Sequence, residues 1–210
     1  MIPQQSIDFI VQQETGGRSY YDKIACHPVW PGGMSGLTIG VGYDLGQNSA
    51  ARFQADWGTV LDAAIFKELA TSIGLRGGSP DQDAHLKELV RQLHGITISW
   101  DVASQVFASV SVPDYTQRTL AAFPGLEKLH GLCVGAMVSL VYNRGTSLVG
   151  DSRVEMRKIH DLLQAGQPRG VPDQIRSMKR LWPTVPGLQK RRDAEAQMFQ
   201  DGLDQMAPVA

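Results

Sequence analysis

Cysteine is scarce in this chain, and nothing in it is spaced like a metal site. Cys26 and Cys133 are the only two cysteines, which excludes a disulfide-dense scaffold. A bridge between them would close a loop of about 100 residues, and spacing alone does not establish it. Cys133 lies in a strongly apolar run and reads as a small buried hydrophobe. His27 follows Cys26, but no second pair at zinc spacing accompanies it. His85, His94, His130 and His160 are scattered, so no metal and no other cofactor is expected. No apolar run reaches the roughly 18 residues that a membrane-spanning helix needs, so no membrane insertion is expected. The formal net charge is −1, which leaves no global field to draw the chain to nucleic acid or to an anionic membrane. Met1-Ile2-Pro3-Gln4-Gln5-Ser6 lacks the basic and apolar regions of a signal peptide. There is no internal repeat and no low-complexity segment.

What is present is a sequence of ordinary globular composition. At 210 residues it is long enough for one large domain or for two lobes sharing a core. Its first 46 residues hold most of the chemistry. Ile7, Ile10 and Val11 form the apolar stripe of an amphipathic helix, and Glu14 is the next member of that series. Gly16-Gly17 then ends the helix. An acid in the last turn opposes the helix dipole, so Glu14 is read either as a solvated helix-end residue or as a functional carboxylate. Tyr20-Tyr21-Asp22 follows. The stretch Leu37-Thr38-Ile39-Gly40-Val41-Gly42-Tyr43-Asp44 reads as a strand. Leu37, Ile39 and Val41 lie on one face and Thr38, Gly40 and Gly42 on the other, and the glycines mark a place of close approach. A helix-borne glutamate, a strand threonine and an aspartate on either side of it, Asp22 and Asp44, have the makings of a carboxylate pair for acid–base work on a sugar bond.

The rest of the chain reads as helices. Ser49, Asp62, Ser79 and Ser99 are placed as caps, with Pro80 at a first helical position. The helix after Ser99 runs through Val102, Val106 and Val110, and Pro113 is expected to start a new one. Leu132 to Tyr142 is nearly apolar all round, the mark of a helix buried on every side. Further helices are expected from Arg153 to Leu163, from Val171-Pro172 to Trp182, and from Leu188 to Leu203. The loop from Lys23 to Gly36 is rich in proline and glycine. Its Trp30 either stacks on a sugar ring or pins the loop. Asn143, at the end of the apolar helix, either hydrogen-bonds an N-acetyl group or caps the turn. Arg191 and Arg192 fall three and four residues after Leu188, so at least one shares its inward side, against the plain reading of a solvated basic face.

Glu14, an aromatic followed by Asp22, and Thr38-Ile39-Gly40-Val41-Gly42 together resemble the active-site signature of phage-type lysozymes, glycoside hydrolase family 24. The likeness resumes at Ala136 to Gly145, which looks like the family's central buried helix, and at Pro186 to Glu195, which looks like its last helix. Residues 47 to 125 match poorly. The segment between Asp22 and Thr38 is longer than the family's tight hairpin, and Tyr43-Asp44 stands where phage enzymes usually carry a histidine. In both respects the chain is closer to the secreted lysozyme-like bacterial toxins such as pesticin, in which the catalytic aspartate follows the threonine strand.

The resemblance implies an α+β, mainly α, lysozyme-like fold. A small N-terminal β-hairpin lobe (residues 1–57) would pack on a helical lobe (58–210) with a buried central helix. It implies a muramidase that cleaves the β-1,4 bond between N-acetylmuramic acid and N-acetylglucosamine. Glu14 would be the general acid, Asp44 or Asp22 the second carboxylate, and Thr38 the residue holding water. Tyr20, Tyr43, Asn143, Trp30 and Arg191 would bind substrate, Arg191 also steadying Glu14. The partners implied are peptidoglycan and, for a toxin, an immunity protein; a monomer is expected. Lacking a signal peptide, the protein is expected to reach the periplasm by lysis or by a secretion system, as an endolysin or an antibacterial effector. The alternatives are a chitinase- or chitosanase-like hydrolase of the same fold group and a non-catalytic wall-binding module.

Overall fold

The computed structural model describes residues 2–206. Helix α1 (Gln4–Thr15) carries the apolar stripe read from the sequence, with Ile10 and Val11 buried. Thr15 closes it, its hydroxyl donating to the Val11 carbonyl (2.7 Å) and accepting from Gly17 N–H (3.1 Å). A short α2 (Arg18–Tyr20) widens into a π-helical turn at Tyr21–Ala25. The stretch that reads by its alternation as one strand forms a hairpin, an element that the resemblance implied for this part of the chain. Strands β1 (Thr38–Ile39) and β2 (Tyr43–Asp44) pair antiparallel, Thr38 opposite Asp44 and Ile39 opposite Tyr43. The chain reverses because Gly40 and Gly42 take positive φ (56° and 74°), a conformation that glycine alone adopts without penalty. The alternation of the segment fits a strand and a hairpin equally, and the glycines decide for the hairpin.

Helices then follow their sequence caps. Ser49 accepts from Arg52 N–H to start α3 (Ala50–Trp57), and Asp62 from Ala64 N–H to start α4 (Ala63–Ala70). Ser79 starts α5 (Pro80–Leu93) and Ser99 starts α6 (Trp100–Val106) in the same way. Pro113 does not begin a separate helix. Helix α6 passes through a π-helical turn at Phe107–Ser111 directly into α7 (Val112–Ala122). Proline lacks an N–H and its ring crowds the carbonyl four residues back. That carbonyl belongs to Ser109, inside the widened turn, so the insertion lets the helix continue past the proline.

The remaining helices are α8 (Gly131–Arg144), α9 (Val154–Gln164), α10 (Val171–Ser177) and α11 (Pro186–Asp204). The architecture is mainly α with one two-stranded antiparallel sheet. Two compact units divide the chain: Val11–Ser111, and the chain before Val11 together with the chain after Ser111.

In the unit Val11–Ser111, Leu37, Ile39 and Leu45 from the hairpin region are fully buried, as are Phe53, Trp57, Leu69 and Leu86 from the helices. Phe53 stacks on Phe66 with ring centroids 4.5 Å apart. In the other unit every residue of α8 from Leu132 to Val141 is buried, as its nearly unbroken apolarity predicts, and the helix packs between α7 and α11. Cys26 and Cys133 are both free and buried. Burial pushes the Cys133 thiol up to about 12, so it is inert as a nucleophile at neutral pH.

One polar network crosses the apolar interior of that second unit. Glu195 is fully buried on α11, where its Oε1 accepts from Ser139 Oγ (2.6 Å), Arg191 Nε (3.1 Å) and Arg192 Nη2 (2.8 Å). Arg191 Nη2 also donates to the Ser139 carbonyl (3.1 Å). Arg191 and Arg192 are themselves buried. Burying this much charge is tolerable only when the partners are in place. Glu195→Ala is therefore expected to cost about 3–5 kcal/mol, because two buried guanidinium groups lose the carboxylate they share; urea denaturation of the two proteins measures it.

Candidate functional site

The unit Val11–Ser111 holds Glu14, Tyr20, Asp22, Trp30, Thr38, Tyr43 and Asp44 together. Glu14 lies one residue from the end of α1. It is half-buried, and its Oε1 is shielded from solvent. Tyr20, half-exposed, sets its ring against Gly16 just beyond that helix end. This leaves the ring half-exposed, five residues past the end of the helix that carries the acid.

Thr38 is held from both sides. On one edge it exchanges two backbone hydrogen bonds with Val29 (2.7 and 3.0 Å). On the other it faces Asp44. The Leu45 N–H to Leu37 carbonyl bond (2.7 Å) makes Thr38–Asp44 a non-hydrogen-bonded pair, the kind that brings facing side chains closest, with Cα atoms about 4.5 Å apart. A hydroxyl and a carboxylate thus share one face of the hairpin.

Asp44 has a structural duty. Its Oδ1 accepts from the backbone N–H of Gly46 (2.8 Å) and of Gly36 (3.0 Å), and Oδ2 takes no hydrogen bond from a described residue. Gly36 and Gly46 touch backbone to backbone. A Cβ on Gly36 would lie 2.5 Å from Gly46 Cα, so both positions require glycine. Arg76 Nε donates to the Gly46 carbonyl (2.7 Å). The carboxylate is therefore fixed in plane and direction, one oxygen locking the base of the hairpin and the other left to interact.

The other expected residues occupy varied settings. Asp22 is exposed on the π-helical turn, 3.5 Å from Arg18 in a surface ion pair. Trp30 pins the loop: its Nε1 donates to the Ser35 carbonyl (2.9 Å), and Lys87 lies over its ring. Tyr43 is buried edge-on against Trp57. Its hydroxyl donates to Asp56 Oδ2 (2.9 Å), which Arg52 Nε also engages. Burial first, then the bond to Asp56, raises the Tyr43 phenol well above its usual value. Asn143 and Arg191 belong to the other unit. Asn143 is exposed near the end of α8, and Arg191 sits in the Glu195 network described above.

Sequence reasoning passed over the docking strip of the long loop. The segment from Gly95 to Ile98, ambiguous by pattern, receives that loop: Ile98 N–H donates to the Cys26 carbonyl (2.8 Å) and the Tyr21 hydroxyl to the Ile98 carbonyl (3.1 Å). His27 donates to the Ile96 carbonyl (2.9 Å) and stacks on His94. No local signal marks these pairings, because all of them join residues about 70 positions apart. Asp56 had a signal, its i+4 spacing from Arg52. Among the described residues no group of three or more His, Cys, Asp or Glu could hold a metal ion.

No family model matches the chain, and no curated protein matches it either.

The bracing role of Asp44 is open to test by substitution. Asp44→Ala removes the acceptor of two backbone amides and is expected to cost about 2–4 kcal/mol in chemical denaturation. Asp44→Asn keeps an oxygen in place and is expected to recover most of that loss. Equal destabilisation by both would contradict the bracing role.

Proposed function

We propose that the chain is a peptidoglycan glycan-strand hydrolase of lysozyme-like fold, a muramidase acting on the β-1,4 bond after N-acetylmuramic acid. The observation that carries this reading is the hairpin pairing that sets Thr38 directly across from Asp44, in the unit that also holds Glu14 at the end of α1. The resemblance of these three residues to the lysozyme signature supports it, as does the exposed ring of Tyr20 near the acid-bearing helix end, since an aromatic face suits the apolar side of a sugar ring.

In this mechanism Glu14 protonates the glycosidic oxygen as the bond to the anomeric carbon breaks. A water molecule attacks that carbon from the opposite face of the sugar. Asp44, through the oxygen that the backbone amides leave open, takes the water's proton, and the Thr38 hydroxyl orients the water. Proton return to Glu14 completes the cycle. A carboxylate already fixed by two amides loses little freedom on reaching the transition state, which favours Asp44 over the exposed Asp22 as the second carboxylate. An inverting reaction of this kind places its carboxyl groups roughly 6.5–9.5 Å apart. The biological setting that fits is an antibacterial effector or an endolysin acting on the wall in the periplasm, with an immunity protein guarding a producer of the former.

The test is digestion of purified peptidoglycan with mass spectrometry of the fragments. Wild type is expected to release disaccharide muropeptides with reducing N-acetylmuramic ends. Glu14→Gln is expected to lose about 10²–10⁴-fold in rate, and Asp44→Asn to be folded but similarly impaired. Full activity of Glu14→Gln overturns the assignment. Cleavage of chitin or chitosan instead moves the substrate, and wall binding without fragments replaces the enzyme with a binding module.

A further inference from the structure

The unit containing α8, α9 and α11 gathers more guanidinium groups than carboxylates around one tryptophan. Arg192 is committed to Glu195, with Nε 2.8 Å from Oε2. Arg180 holds Glu155 in a two-pronged pair, Nε to Oε1 at 2.5 Å and Nη2 to Oε2 at 3.0 Å. Against the upward pull of burial, that pair keeps the Glu155 carboxyl below its usual value. Glu155 and Glu195 are thereby engaged, and the charge of a third acid, Asp151, acts on Arg180.

Arg144 and Arg153 have no such partner. Arg144, the last residue of α8, donates through Nη2 to the Ser152 carbonyl (2.5 Å), and its guanidinium lies 4.8 Å from the Trp182 ring centroid. Arg192 lies 5.7 Å from the same ring. Arg153 immediately precedes α9 and makes no side-chain capping bond there. Among the described residues neither Arg144 nor Arg153 meets a carboxylate. Arg144 Nε and Arg153 Nη1 are both shielded from solvent without a hydrogen-bond acceptor. Burial, and after it the charges of Arg153 and Arg192, lower the Arg144 pKa to about 10 against the weaker opposing pull of Glu155 and Glu195, so the guanidinium groups work against one another.

Shielded N–H groups are almost always bonded, and charged ones carry the largest penalty when they are not. Two such donors on adjacent guanidinium groups, beside an aromatic face, are the equipment that recognises a carboxylate or a phosphate. We propose that Arg144 and Arg153, with Trp182 as the wall, form an oxyanion-binding site. The inference is independent of the glycan reading. It uses none of Glu14, Thr38 or Asp44, and it stands whether or not the chain cleaves peptidoglycan.

Isothermal titration of the full chain at low ionic strength tests it, with inorganic phosphate and with acetate as separate probes and sodium chloride at matched ionic strength as the control. A saturable single-site heat is expected with at least one oxyanion and not with chloride. The better probe identifies the source, phosphate for a phosphorylated ligand and acetate for a carboxylate-bearing one. Arg153→Gln is expected to weaken binding by about tenfold or more and to leave the unliganded melting temperature unchanged or raised, since a repelling charge is removed. Arg153→Lys, which keeps the charge and loses the planar fork, is expected to fall between the two. Heats no larger than those of chloride, or wild-type affinity in both variants, would overturn the proposal.

Discussion

One carboxylate oxygen governs the hairpin around which the unit Val11–Ser111 is arranged. Asp44 Oδ1 receives two backbone amides, from Gly36 and Gly46, that lie ten residues apart in the chain and touch in space. An amide without an acceptor at this depth would be costly, and a side chain on either glycine would force the two strands of backbone apart. The turn between them, the pairing of Thr38 with Asp44 and the bridge from Thr38 to Val29 all depend on that closure. A residue so placed braces the hairpin with one oxygen and leaves the other uncommitted to it.

The other unit repeats the theme in a different setting. Glu195 Oε1 serves a hydroxyl and two guanidinium groups in an interior otherwise filled by the apolar α8. Here the carboxylate has no exposure and no spare duty; it satisfies donors that α11 brings inside. Close by, guanidinium groups outnumber the acids available to them, and Arg144 and Arg153 are left with shielded donors. The same rule, that buried donors require acceptors, explains a closed network at Glu195 and an open one at Trp182.

Much of the helical framework was legible in the sequence, and the reason is local. Ser49, Asp62, Ser79 and Ser99 cap helices through bonds to amides two or three residues away, so the signal and its effect lie within one turn. The nearly uniform apolarity from Leu132 to Val141 announced burial for an equally direct reason. The hairpin was harder. Period-two alternation is the same in a strand and in a strand that doubles back, and only the backbone at Gly40 and Gly42 separates them. Pro113 misled because its effect depends on a π-helical turn upstream that has no sequence signature.

By itself, then, the sequence determined where helices begin and which helix is wholly buried, and it set out Glu14, Thr38 and Asp44 as candidates for chemistry. Local hydrogen bonds and side-chain periodicity suffice for that. Tertiary structure alone decided what those residues contact. It placed Thr38 across from Asp44, divided Asp44 between two amides, committed the Tyr43 hydroxyl to Asp56 and Trp30 to the loop, and left a shielded N–H on Arg144 and another on Arg153 without an acceptor. Each of those outcomes turns on a contact between segments distant in the chain, and the identity of a residue does not specify which distant donor or acceptor will reach it.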